Sequence, residues 1–227
     1  MNSKEEIAAN IKRIQTELGG RAELLAATKT VPADLINFAA DCGIKTIGEN
    51  RVNELLEKYD AIDRSRLSIH FIGALQTNKV KYIIDKVDMI HSLDRLSLAE
   101  EIERRAAQHG RVMDVLVEVN IASEPSKSGL KPDEALDFCR GLSKYKHIRL
   151  RGLMCVPPKC DDGKENIEYF CKIRKIFVDI SGEKIDNSHI DVLSLGMSDD
   201  YLTALEYGST TVRIGSAIFG KRQYINK

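Results

Sequence analysis

A lysine that directly ends an apolar run is the first residue of the chain with a chemical task in view. Lys29 closes Leu24-Leu25-Ala26-Ala27-Thr28. At the end of a buried strand its ammonium is partly desolvated, which favours the neutral amine that attacks a carbonyl carbon as a Schiff-base former. The competing reading is a lysine that snorkels to solvent. Near the other end of the chain, Val192-Leu193-Ser194-Leu195-Gly196-Met197-Ser198-Asp199-Asp200 runs from a strand through a glycine turn into a helix, with Ser198 predicted as its N-cap. Val212-Arg213-Ile214-Gly215-Ser216-Ala217 repeats the arrangement. Two helix N-termini built from small residues offer backbone N–H groups to a phosphate, although Asp199 and Asp200 oppose an anion unless they face away. Arg213 either points into that site or pairs with an acid in the wall. Asn50, in Gly48-Glu49-Asn50-Arg51, is a helix N-cap or a hydrogen-bond partner of a ligand. His70 reads as a core histidine, and His91 has no second ligand at metal spacing, so no metal is expected. Lys127 lies in the polar stretch Ser123-Glu124-Pro125-Ser126-Lys127-Ser128-Gly129, which is a mobile surface loop or a lid with a secondary anion contact.

Residues scattered from 29 to 216 meet only if the fold brings strand ends together. Short β-branched or apolar runs, each followed by a helical pattern, repeat to the end of the chain: Leu24 to Thr28, Thr46 to Gly48, Ser68 to Ile72, Met89 to His91, Met113 to Val119, Ile148 to Leu153, Val192 to Leu195 and Thr211 to Ile214. Leu98, Ile102 and Ala106 mark one intervening helix, and Ile167, Phe170, Ile173, Phe177 and Ile180 another. A further helix precedes the first strand, opened by a Ser3/Glu6 capping box and stopped at Gly19-Gly20. Eight βα units at a mean of about 28 residues predict a single α/β domain, residues 1–227, folded as a (β/α)8 TIM-type barrel with an extra N-terminal helix. A doubly wound sheet would bring a dinucleotide glycine fingerprint, and none occurs. In a barrel the site is built from the loops at the C-terminal ends of the strands, where the candidate residues lie.

Composition narrows the classes. The 227 residues carry 34 Lys+Arg against 34 Asp+Glu, so no basic surface for a nucleic-acid backbone is expected. No apolar stretch approaches a membrane span and no signal core follows the N-terminus, which predicts a cytoplasmic protein. Five cysteines, odd in number and without a CxxC pair, predict reduced thiols rather than a disulfide framework or a zinc site.

The ordered motifs Ala27-Thr28-Lys29-Thr30, Gly48-Glu49-Asn50, His70-Phe71-Ile72-Gly73, Gln76-Thr77-Asn78-Lys79, Ser126-Lys127-Ser128-Gly129, Arg151-Gly152-Leu153-Met154, the Ser194 to Asp200 run and the Val212 to Gly220 run resemble the pyridoxal phosphate homeostasis proteins over nearly the whole chain. That resemblance implies the barrel of the alanine racemase N-terminal domain and pyridoxal 5′-phosphate as cofactor, held as an aldimine on Lys29. It further implies Ser198, Gly215 and Ser216 around the phosphate, Arg213 at the pyridine nitrogen and Asn50 beside the ring. Ala-Thr-Lys stands where Val-Ser-Lys is frequent, and Ser216 where threonine is frequent; each keeps a small hydroxyl.

A carrier and an enzyme make different demands. Racemisation needs acid–base groups on both faces of the cofactor. The short tail after the last strand leaves no room for the C-terminal domain of alanine racemase, and an arginine at the pyridine nitrogen disfavours the protonated ring that makes a strong electron sink. The expected protein therefore sequesters the cofactor and supplies it to the free pool or to apo-enzymes, as a monomer. The alternatives are a small amino-acid racemase recruiting Tyr201, Tyr207 or His70 as second base, and a phosphosugar isomerase or aldolase on the same barrel.

Overall fold

The structure, a computed structural model, describes residues 1–158 and 166–220. Eight parallel strands form it: β1 (Glu23–Ala27), β2 (Thr46–Glu49), β3 (Ser68–Phe71), β4 (Met89–Leu93), β5 (Met113–Val119), β6 (Ile148–Cys155), β7 (Ser188–Ser194) and β8 (Thr211–Ile214). Each pairs with its neighbour in sequence, and β8 pairs with β1 through Leu25↔Arg213, closing the barrel. Around it lie α2 (Ala33–Asp41), α3 (Val52–Lys58), α4 (Val80–Ile83), α5 (Leu96–Gln108), α6 (Ala135–Gly141), α7 (Ile167–Ser181), α8 (Tyr201–Glu206) and α9 (Ser216–Phe219), preceded by α1 (Lys4–Leu18). The predicted (β/α)8 barrel and its extra first helix are both present.

Three strands differ from expectation by two residues or more, β6 by continuing past Leu153 to Cys155. β4 continues past His91 to Leu93, and β7 begins at Ser188 rather than Val192. The first half of β7 is solvent-facing on alternate residues, so it lacks the continuous apolar run by which buried parallel strands are recognised. Gly152 marks where β6 shifts register against its neighbours. Its φ is +144°, and a Cβ there would stand 1.9 Å from the Val192 carbonyl oxygen, so only glycine lets β6 and β7 approach.

The larger core lies between barrel and helices, whereas Met89, Leu116 and Met154, with Val156 and Val192 against them, form a separate small cluster. The capping box of α1 is formed: the Glu6 N–H donates to Ser3 Oγ and the Ser3 N–H to Glu6 Oε2. One face of α1 buries Ile7, Ile11, Ile14 and Leu18, each worth roughly 1.5–3 kcal/mol. This helix packs on α2, α8 and α9. Asn2 and Asn10 donate to the Ile218 carbonyl at 3.0 and 3.3 Å, and the Tyr201 hydroxyl of α8 donates to Glu17. At the start of β5, Asp114 takes Arg149 at 2.6 Å and Arg151 at 2.8 Å, and Arg151 also grips Asp191 at 2.7 Å.

Candidate functional site

The turn after β1 presents Lys29. Thr28 and Lys29 leave the strand, Thr30 takes a left-handed φ of +64°, and the Val31 N–H closes the turn on the Thr28 carbonyl at 2.9 Å. Lys29 is half-buried there. The α3 helix clamps this turn from outside: Glu54 accepts from the Thr30 N–H at 3.2 Å, and Lys58 Nζ donates to the Thr28 and Val31 carbonyls at 2.8 and 3.2 Å. Lys58 also pairs at 2.7 Å with Glu49, a fully buried carboxylate that accepts the Thr28 hydroxyl. Burial raises the Glu49 carboxyl above its ordinary range, against the pull of Lys58. Glu49 and Lys58 were not among the expected site residues. Glu49 stood inside a motif, but nothing in the sequence marked Lys58, which reaches back to the turn across 30 residues.

Asn50 follows β2. The N-cap of α3 is Arg51, so the capping reading of Asn50 does not hold. Its Oδ1 is buried and has no hydrogen-bond partner among the described residues. An orphaned acceptor in a strand-end loop is what a missing ligand donor would leave.

The loops after β7 and β8 meet. The Ala217 N–H donates to Ser198 Oγ at 3.2 Å, which ties the two turns together. Ser198 is therefore not the N-cap of α8. That position belongs to Asp200, whose carboxylate accepts the N–H of Met197, ahead of the helix, at 2.6 Å. Of the two acids that stood against a phosphate, Asp200 is thus buried with its carboxylate hydrogen-bonded, while Asp199 is exposed. A Cβ on Gly215 would come within 3.1 Å of the Ala27 carbonyl oxygen, so the β8 loop lies tight against the end of β1. Ser216 is exposed at the first position of α9.

Arg213 is 5% exposed. It pairs with no carboxylate among the described residues; Nη1 donates to Ser194 Oγ at 2.6 Å and Nη2 to the Cys155 carbonyl at 2.9 Å. Behind it, Ser194 Oγ lies 3.2 Å from His91 Nδ1, and His91 Nε2 lies 3.0 Å from His70 Nδ1. Burial holds both imidazoles below their ordinary pKa, His91 well below. Burial and Asp94 push the Glu118 carboxyl up to about 7, with Arg213 drawing it down. Lys127 is bonded to Glu124 at 2.8 Å and to the Pro157 carbonyl at 3.1 Å, and lines a cavity of about 270 Å³ with Met197 and Asp199.

Lys29, Asn50, Ser198, Arg213, Gly215 and Ser216 thus come from β7, β8, β1 and β2, a contiguous arc, at or just past their C-terminal ends. An amine, a small-residue cradle, a buried guanidinium and an unpaired amide oxygen suit a phosphorylated aromatic aldehyde. No group of three or more His, Cys, Asp or Glu side chains suited to a metal occurs among the described residues. Cys139 and Cys155 are buried thiols pushed up to about 12, Cys42 and Cys171 are free, and Cys160 lies outside the described residues.

Residues 3–223 match the family described as alanine racemase, N-terminal domain. The pyridoxal phosphate homeostasis protein of Aquifex aeolicus is 43% identical over 99% of this chain and 100% of its own length. The chain belongs to the pyridoxal phosphate homeostasis protein family. Its Escherichia coli K12 relative is 36% identical over 98% of this chain and 99% of its own. The family member PipY of Synechococcus elongatus, solved with pyridoxal phosphate bound, superposes with a TM-score of 0.86 at 29% identity, covering 94% of this chain and all of that one. Alanine racemase of Clostridium difficile shares the fold at 18% identity and a TM-score of 0.76, covering 97% of this chain and 58% of that one. Among the described residues no helix is long and apolar enough to cross a membrane.

Proposed function

We propose that this chain binds pyridoxal 5′-phosphate across the β7–β8–β1–β2 arc, links it reversibly to Lys29, and stores and supplies it without robust turnover. The observation that carries the reading is the joining of the Ser198 and Gly215 loops beside the Lys29 turn, with Arg213 behind them and the Asn50 oxygen waiting for a donor. When bound, the cofactor supplies an aldehyde that condenses with an amine and releases water. Ser198, Gly215 and Ser216 would hold the phosphate, and Asn50 would lie beside the ring. Arg213 can only donate, so a ring nitrogen facing it would accept a hydrogen bond and stay unprotonated, which weakens electron withdrawal.

Of the groups that a racemase would recruit, Tyr201 and His70 are hydrogen-bonded elsewhere and the Tyr207 ring is packed against the core. The Tyr201 hydroxyl is bonded to Glu17 on α1, the Tyr207 ring stacks near Phe170 at 6.1 Å, and His70 is bonded to His91 inside the barrel. This supports carriage over catalysis, with the cofactor pool and apo-enzymes as recipients, in a single-domain cytoplasmic monomer.

The test is the absorbance spectrum of the purified protein with added pyridoxal phosphate, followed by borohydride reduction and mass mapping. A visible band with pyridoxyl fixed on Lys29, and its loss in Lys29→Ala, are expected. A protein that stays colourless overturns the cofactor reading; brisk α-deuterium loss from alanine or serine overturns the carrier reading.

A further inference from the structure

Four polar side chains from four strands run in one line through the barrel: Arg213 on β8, Ser194 on β7, His91 on β4 and His70 on β3. The successive contacts are 2.6, 3.2 and 3.0 Å. Hydrogen-bond chemistry gives this line a direction. A guanidinium has no acceptor, so Arg213 donates to Ser194 Oγ. The one hydrogen of Ser194 then has His91 Nδ1 as its acceptor, which takes that nitrogen as unprotonated; an Nδ1–H donating to the second lone pair of Oγ would leave the serine hydrogen without a partner among the described residues. His91 therefore carries its proton on Nε2 and donates it to His70 Nδ1. His70 in turn is neutral with its proton on Nε2.

We propose that Ser194, His91 and His70 are positioning residues for the cofactor: their one-way chain of donors holds the Arg213 guanidinium at the ring end of the site. The inference rests on the cofactor reading only for where the ring lies; the chain itself is a property of the protein alone.

The surroundings fit a chain of neutral links. His91 and Ser194 are fully buried, and beyond burial itself both His70 and Arg213 oppose a charge on His91. His70 is faced by Glu23, Asp88 and Asp114, which favour its protonation, and by Arg151, which opposes it, yet burial outweighs them. Protonating His91 would turn Nδ1 into a donor aimed at Ser194, which already accepts from Arg213, and the serine hydrogen would lose its acceptor.

The experiment begins with the ligand-free protein. Imidazole nitrogen NMR at neutral pH is expected to show His91 and His70 neutral, each with the proton on Nε2. A His91 protonated on Nδ1 overturns the proposal, whether or not any cofactor binds. Pyridoxal phosphate is then titrated into His91→Phe, which cannot accept from Ser194, and into His91→Gln, whose amide can both accept and donate. His91→Phe should bind roughly three- to tenfold more weakly, the effect of one buried hydrogen bond, and the pH midpoint of its visible band should move. His91→Gln should restore both values towards the parent's. A folded His91→Phe with the parent's affinity and midpoint overturns the proposal. Should that variant not fold, Ser194→Ala is expected to show the same loss, and parental affinity there overturns it equally. If the parent itself does not bind pyridoxal phosphate, the cofactor reading falls and the tautomers alone decide the chain.

Discussion

Two arginines of this barrel are treated in opposite ways. Arg151, towards the N-terminal ends of the strands, lies between Asp114 and Asp191 at 2.8 and 2.7 Å, with Arg149 sharing Asp114. Arg213, more deeply buried, donates to a hydroxyl and a carbonyl but to no carboxylate among the described residues. An arginine retained for structure has its charge met, because an unmatched buried charge costs several kcal/mol. The charge of Arg213 is left unmet at the mouth of the barrel, where the proposed cofactor would lie. The carboxylates divide in the same way: Asp114 at one end is paired with two guanidiniums, while Glu118 at the other is pushed up to about 7 by burial and Asp94.

The sharpest break of this comparison is a pair of matched substitutions that remove the guanidinium and keep an unbranched apolar stem. Arg151→Met takes the arginine from Asp191 and leaves Asp114 to Arg149 alone, and should cost about 1–2 kcal/mol of stability, discounted for the exposure of Asp191, with pyridoxal phosphate affinity unchanged. Arg213→Met removes an uncompensated charge and should stay within about 1 kcal/mol of the parent, yet bind the cofactor roughly 10- to 100-fold more weakly. Denaturant melts and cofactor titrations read the two axes separately. Equal effects on both axes from both variants would erase the distinction.

Glu118→Gln sharpens it. A folded-state pKa of about 7, above the ordinary 4.5, means the folded protein holds a proton that the unfolded chain has released across that interval. Stability is thus lost as pH rises from 4.5 through 7, by on the order of 3 kcal/mol. Glutamine cannot ionise, so Glu118→Gln should outlast the parent in urea at pH 8 and lose that advantage by pH 4.5. An advantage independent of pH would show that Glu118 is not held protonated.

The smallest effect concerns Asn50. Its buried Oδ1 gives up no partner on truncation, so Asn50→Ala should melt within about 0.5 kcal/mol of the parent while binding the cofactor a few-fold more weakly. A large stability loss without a binding loss would make Asn50 a structural residue.

The barrel was legible because each βα unit repeats one pattern, and closure by β8 against β1 follows from the count. The start of β7 was not, since its exposed half carries alternation without an apolar run. Strand-end residues could be named from sequence once the barrel was in view. Their supports could not. Lys58 meets Glu49 through the return of α3, and His91 meets His70 only because His70 aligns with Met89, two residues before His91, across the β3–β4 ladder. His70 was read as a core histidine and His91 was weighed only as a metal ligand. Ser198 was taken for a cap because serine after glycine suits one, whereas Asp200, two residues on, takes that place.

The first helix stands outside the barrel's repeat, yet it and the residue before its cap are bonded to Ile218 through Asn10 and Asn2 and to Tyr201 through Glu17. Those partners lie in α9 and α8, the helices that follow the two loops joined by Ser198. A segment that contributes no side chain to the site is therefore fastened to both sides of its cradle. Bonds that span 184 to 216 positions of the chain tie the two ends of the molecule together behind these loops, and any loosening of α8 or α9 would strain them.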